Sequence, residues 1–266
     1  MARNNETLFP LRGALGPVTF YKLDGNSFAK RTTSLDKEKI ETAESMKRTR
    51  ENDTEMGGAG TVTKATRRGF STFVKYMTDR KFTGRLTKAL HEILILADGV
   101  RGERPLNISE HKELLADFDF NCKCPMGSVF QVPFNLSISP DRLTSTLTLQ
   151  TFNPKDDLYV PQGASHVRFI NAVNVVSNYQ YDATAKKYYP TDSVNNMLFA
   201  RTYSDYIPVN SPVLAPTVIT ATISGTPVLG ADVSVVNAIG IEFSQEVNLV
   251  QYLFAQNNAM MIRSVF

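Results

Sequence analysis

The sequence predicts an α+β fold: an N-terminal β-hairpin and helices, followed by an antiparallel Greek-key-like β-sandwich. Three observations carry that expectation. Asp24-Gly25-Asn26 separates two short β-rich runs, and Asp-Gly supplies the positive φ angles of a tight hairpin turn. Apolar residues at helical spacing are confined to the chain before about residue 116. Beyond it, β-branched and aromatic runs are punctuated by Pro140, Pro154, Pro161, Pro190, Pro208, Pro212, Pro216 and Pro227, as in many short strands rather than βαβ units.

In chain order, residues 1–16 read as an extended arm with Leu8, Phe9, Leu11 and Leu15 in need of burial. Residues 17–116 hold the hairpin, with Val18, Phe20, Tyr21 and Phe28 on its strands, and then helices. A two-stranded hairpin is marginal alone, so this one is expected to dock on another sheet or on helices. Ser34 or Asp36 caps a charged, solvated segment from Lys37. A helix over the Met56–Met77 region contains Gly57-Gly58-Ala59-Gly60, where small residues allow close approach. Phe82, Leu86, Leu90, Ile93 and Leu94 form a clearer stripe that Gly99 ends, and Ser109 caps a short helix through Leu115. Residues 117–266 are the sandwich; the apolar tail Met260–Phe266 is too apolar to hang free, and it either serves assembly or, the favoured reading, forms the sandwich's last strand.

Composition is that of a folded protein, 42% hydrophobic and 21% charged. The longest apolar run, Ile93 to Ala97, is too short to cross a bilayer, and the N-terminus lacks a signal-peptide layout. The expectation is therefore a cytoplasmic protein, or a particle assembled there, without membrane contact. Cys122 and Cys124 are the only cysteines, too close for an unstrained mutual disulfide and too few for a closed zinc site. Charge is polarised. Residues 1–112 hold 21 Lys and Arg against 14 Asp and Glu, a balance of +7, and the remaining 8 against 12 leave −4.

Each catalytic pattern fails on spacing or on its element. The glycine cluster completes no phosphate-binding fingerprint. Ser27-Phe28-Ala29-Lys30 has Ser-x-x-Lys spacing but falls on a strand, where residues three apart face opposite ways. Asp117 with Asp119, and Asp156 with Asp157, lack an apolar pocket to separate their pKa values. No catalytic residue, metal site, cofactor or small-molecule substrate is expected. Lys47, Arg48, Arg50, Arg67 and Arg68 are candidate polyanion contacts, although interleaved acids suit a helix surface equally well.

Gly13-Ala14-Leu15-Gly16-Pro17-Val18-Thr19-Phe20-Tyr21-Lys22-Leu23-Asp24-Gly25-Asn26, Arg48-Thr49-Arg50-Glu51-Asn52, Phe82-Thr83-Gly84-Arg85-Leu86, Val100-Arg101-Gly102 and Pro161-Gln162-Gly163-Ala164-Ser165-His166 resemble a multi-copy protein family of Bacteroidota. The resemblance spans most of the chain and implies no activity. Non-enzymatic self-assembly is the functional expectation. A filament, fibril or shell would form through the arm, the hairpin and sheet edges, by strand exchange between copies. The alternative is a nucleic-acid-associated protein using the basic helices. A sugar-binding sandwich using Tyr179, Tyr181, Tyr188 and Tyr189 is a weaker third, because the chain has no Trp.

Overall fold

The computed structural model describes the backbone of residues 2–4 and all of 11–23, 25–32 and 37–266. Leu8, Phe9, Asp24, Ser34 and Asp36 lie outside the described residues. The chain divides into two compact units, Met1–Arg50 and Glu51–Phe266. The boundary expected near residue 116 falls inside the second unit.

The first unit is built on four strands: β1 (Ala2–Asn4), β2 (Gly13–Leu15), β3 (Val18–Leu23) and β4 (Asn26–Arg31). They form one antiparallel sheet in the order β1-β4-β3-β2. Gly25, at φ +80°, turns β3 into β4. This corrects the expectation of a two-stranded hairpin that must dock on another sheet or on helices, since β1 and β2 extend it to four strands. Segments of the arm supply both outer strands, because a strand edge left with unpaired N–H and C=O groups is satisfied most cheaply by the chain beside it. Helix α1 (Lys37–Thr42) buries none of its residues. Arg50 donates to the carbonyls of Ile40 and Ala43, both at 2.8 Å, and so closes the end of α1. The unit boundary lies inside α2 (Lys47–Arg68).

In the second unit, α2 and α3 (Phe82–Leu96) precede β5 (Phe118–Asp119) and the four-residue α4 (Met126–Val129). Then come β6 (Phe134–Ile138), β7 (Thr144–Leu149) and α5 (Pro154–Asp157). The remaining strands are β8 (His166–Ser177), β9 (Tyr179–Asp182), β10 (Lys187–Pro190), β11 (Phe199–Tyr203), β12 (Ile207–Pro208), β13 (Thr217–Thr222), β14 (Val233–Val247), β15 (Val250–Leu253) and β16 (Ala259–Val265). All pairings are antiparallel, so the fold is α+β.

The larger sheet runs β11-β8-β14-β16-β5, with β12 beside β8 and β15 beside β14; a smaller one runs β13-β7-β6. Strand β8 is covered on both faces, which is why its sequence reads as a near-continuous apolar run. Ile170, Ala172 and Val176 pack with Val62, Phe73, Leu90 and Ile93 of the helical layer. On the other face, Val167 and Phe169, with Ile239, Ile241 and Phe243 of β14, meet Leu147, Leu149 and Ile219 of the smaller sheet. The tail forms β16, paired along β14.

Buried polar side chains fix the layers in register. Asn171 donates to the carbonyls of Ser145 and Ile219, and Asn237 donates to Asn171 and to Ser145 Oγ. From the opposite face, Asn174 donates to the carbonyls of Ala65 and Thr66, in the last turn of α2. Directly beyond, a Cβ on Gly69 would stand 2.6 Å from Asn174, so only glycine admits that approach. The expected capping role of Ser109 is not realised. Its residue sits in a short turn, Ile108–Glu110, where Ser109 N and Oγ both bond the Asn178 side chain.

Candidate functional site

The four-stranded sheet of the first unit carries large apolar residues on both faces. Cross-strand pairing puts Tyr21, Leu23 and Phe28 on one face, and Leu15, Val18 and Phe20 on the other. Tyr21 and Phe28 stack with centroids 5.6 Å apart, and the Lys30 ammonium lies 5.8 Å from the Tyr21 ring centre. Yet no described residue of the first unit is buried; Leu11 is half exposed and Leu15 is 69% exposed. A sheet with one solvated face alternates apolar and polar residues. This one does not, and both of its faces stay partly open to water.

The basic candidates do not converge. Lys47, Arg48 and Arg50 open α2, and Arg67 and Arg68 close it, at opposite ends of a 22-residue helix. Arg50 is engaged at the end of α1. Arg67 and Arg68 stand where cations complement the partial negative charge of a helix C-terminus. In the glycine cluster only Gly58 has a close neighbour. A Cβ there would stand 2.6 Å from the Tyr188 ring, whereas Gly57 and Gly60 have nothing within 4 Å. Of the four tyrosines of the sugar-binding reading, Tyr179 and Tyr188 are core residues and Tyr181 packs on Tyr188, which leaves Tyr189 exposed.

A second uncovered feature lies in the second unit, between two open strand edges. Strand β6 pairs only with β7, and β16 beyond Ile262 pairs only with β14, because β5 is two residues long. Between them runs an open trough of about 630 Å³, with Val132, Phe134, Leu136 and Phe266 along its walls. It adjoins an apolar pocket of about 160 Å³ lined by Met126, Phe130, Ile239 and Met261. Phe134 and Arg263 line both spaces. The register of β16 skips a residue here: Asn237 pairs with Ser264 and Ala238 with Ile262, so Arg263 is the bulged residue. The bulge lets its guanidinium lie over the Phe134 ring, 5.6 Å from the centroid, while it pairs with Asp117.

Two buried carboxylates are each held by a guanidinium. Glu55 is 1% exposed and accepts from Arg104 Nε and Nη2 at 2.8 and 2.7 Å, and from the Gly102 amide at 2.8 Å. Burial alone would raise its pKa; the hydrogen bonds from Arg104 and Gly102, with the Arg104 charge, outweigh this and hold it below the usual range. Glu242, also 1% exposed, accepts from Tyr76 and Arg168, and the Arg168 guanidinium stacks 4.2 Å from the Tyr203 ring centre. Burial, reinforced by the bond to Glu242, pushes the Tyr76 phenol far above its ordinary value. Cys122 and Cys124 are free, and burial with the Asp119 charge raises the Cys124 thiol, away from the reactive thiolate. Asp119 instead accepts the Met126 amide, at the start of α4.

Among the described residues, no three His, Cys, Asp or Glu side chains are grouped to hold a metal ion, and no helix is long and apolar enough to cross a membrane. No protein-family model matches the chain, and no curated protein and no solved structure matches it.

Proposed function

We propose that this chain is a non-enzymatic structural protein that assembles with copies of itself, its N-terminal sheet being completed against a neighbour. One observation carries the reading: no described residue of the first unit is buried, although both faces of its sheet present large apolar side chains. A sheet without a core is not stable by itself and gains most by covering those faces. The open edges of β6 and β16 supply backbone groups of the kind that accept an added strand. We further read the two sheets of the second unit as a Greek-key-like β-sandwich, since the chain crosses between them from β5 to β6, β7 to β8 and β13 to β14. The polyanion reading ranks second, its basic residues being divided between two ends of α2.

The test compares the full chain with a Phe20→Ser/Phe28→Ser double variant, by electron microscopy and light scattering over a concentration series. Regular polymers are expected from the parent and monomers from the variant. A parent that stays monomeric at millimolar concentration overturns the proposal.

A further inference from the structure

The β14–β15 hairpin displays an apolar surface that its own sheet does not use. The face of β14 that buries Ile239, Ile241 and Phe243 continues outward to Val247, with Val250 paired opposite and Tyr252 further along β15. These outer residues are exposed, and Leu249 at the tip is 91% exposed. The two-residue loop Asn248-Leu249 has φ +51° and +64°, the positive pair of a I′ hairpin turn. Asparagine is at home there. Leucine is not: the left-handed region crowds its Cβ, and Gly is the residue this second position normally takes. The sequence thus holds a large apolar side chain in water, on a backbone that disfavours it.

The complementary feature is the open pocket beside Arg263. Its walls are Met126, Phe130, Ile239 and Met261, and its volume is about 160 Å³. An apolar cavity on the order of 150 Å³ accommodates a benzene-sized group, so a leucine side chain fits. Ile239 and Val247 lie on the same continuous strand, about 27 Å apart at a rise of about 3.4 Å per residue. The tip therefore cannot reach the pocket of its own molecule. The match is one of apolar surface rather than of charge: Glu246, beside the tip, already accepts from Gln251 and lies 3.6 Å from His166, and Arg263 already pairs with Asp117.

We infer that the hairpin tip inserts Leu249 into the Arg263-side pocket of a second copy, with Val250 and Tyr252 covering its rim. This rests on the assembly reading above and adds a direction to it. Knob and socket are different surfaces of one chain, so the contact is heterologous, and repetition builds an open-ended row unless the rotation closes a ring.

Three measurements test the inference. A photo-crosslinking residue at position 249, in a mixture of isotopically light and heavy chains, should link to residues 126–134 or 261–263 of the other copy. Leu249→Asp should weaken association about 10- to 100-fold, the loss expected for one buried leucine. Leu249→Gly should weaken it similarly while raising the monomer's Tm by about 2–4 °C, because glycine relieves the turn. That variant separates lost contact from lost folding. Crosslinks to other segments, or a Leu249→Gly chain that associates like the parent, overturn the hairpin contact and leave assembly through the N-terminal sheet standing. A parent that never associates overturns both.

Discussion

Arg104 gathers three parts of the second unit through one side chain. Its Nε and Nη2 hold Glu55 of α2, its Nη1 donates to the Ile95 carbonyl near the end of α3, and Glu55 also takes the Gly102 amide. With 2% of the Glu55 side chain exposed, removing the guanidinium strands a buried carboxylate. Arg104→Ala should cost about 3–5 kcal/mol in urea unfolding. Folding lowers the Glu55 pKa, so the pair contributes fully above the unfolded value of 4.5 and is lost as pH falls through the lower native value. Glu55→Gln should therefore flatten part of the acid limb of a Tm-against-pH curve. An acid limb identical to the parent's would remove Glu55 as its source. Nothing in the sequence marks this pair, because Glu55 and Arg104 are far apart along the chain and each sits among other charges.

Helix α2 shows how an element hides its purpose in sequence. Its buried face is Glu55, Gly58, Ala59, Val62, Thr63, Ala65 and Thr66, with Thr63 and Thr66 returning their hydroxyls to the carbonyls of Ala59 and Val62. Such a face is small and partly polar, so apolar periodicity underestimates the helix, which starts at Lys47, well before the stripe near Met56. The glycines divide by environment. Gly58→Ala should destabilise by about 1–3 kcal/mol, since its Cβ meets the buried Tyr188 ring. Gly57→Ala should stabilise by about 0.5–1 kcal/mol, having only helix propensity to gain. Thermal melts showing the same sign for both would contradict that division. The two hairpins make the same point about legibility. The β3–β4 turn is visible in Asp24-Gly25, whereas Val247–Phe254 reads as one unbroken strand, because Asn248-Leu249 contains neither Gly nor Pro.

Within the molecule, the α+β class and the absence of crossover helices after about residue 116 follow from the pattern of Pro and apolar runs. Placement of the candidate surfaces does not. The pairing of β1 with β4 joins residues such as Ala2 and Ala29 that no local propensity links, whereas β2 turns directly into β3 through Gly16-Pro17, a short turn that the reading of residues 1–16 as an extended arm passes over. The trough likewise exists only because β5 is short and β16 carries a bulge at Arg263.

Strand β14 has a further consequence. It carries the wall of the socket at Ile239 and the base of the knob at Val247, so in a head-to-tail row this single strand is the ruler that spaces successive molecules. Inserting two residues into each of β14 and β15 keeps every side chain on its face and moves the tip outward by about 7 Å. The axial period read from polymer diffraction should lengthen by up to that amount. A period that stays fixed would mean the spacing is measured out elsewhere in the chain.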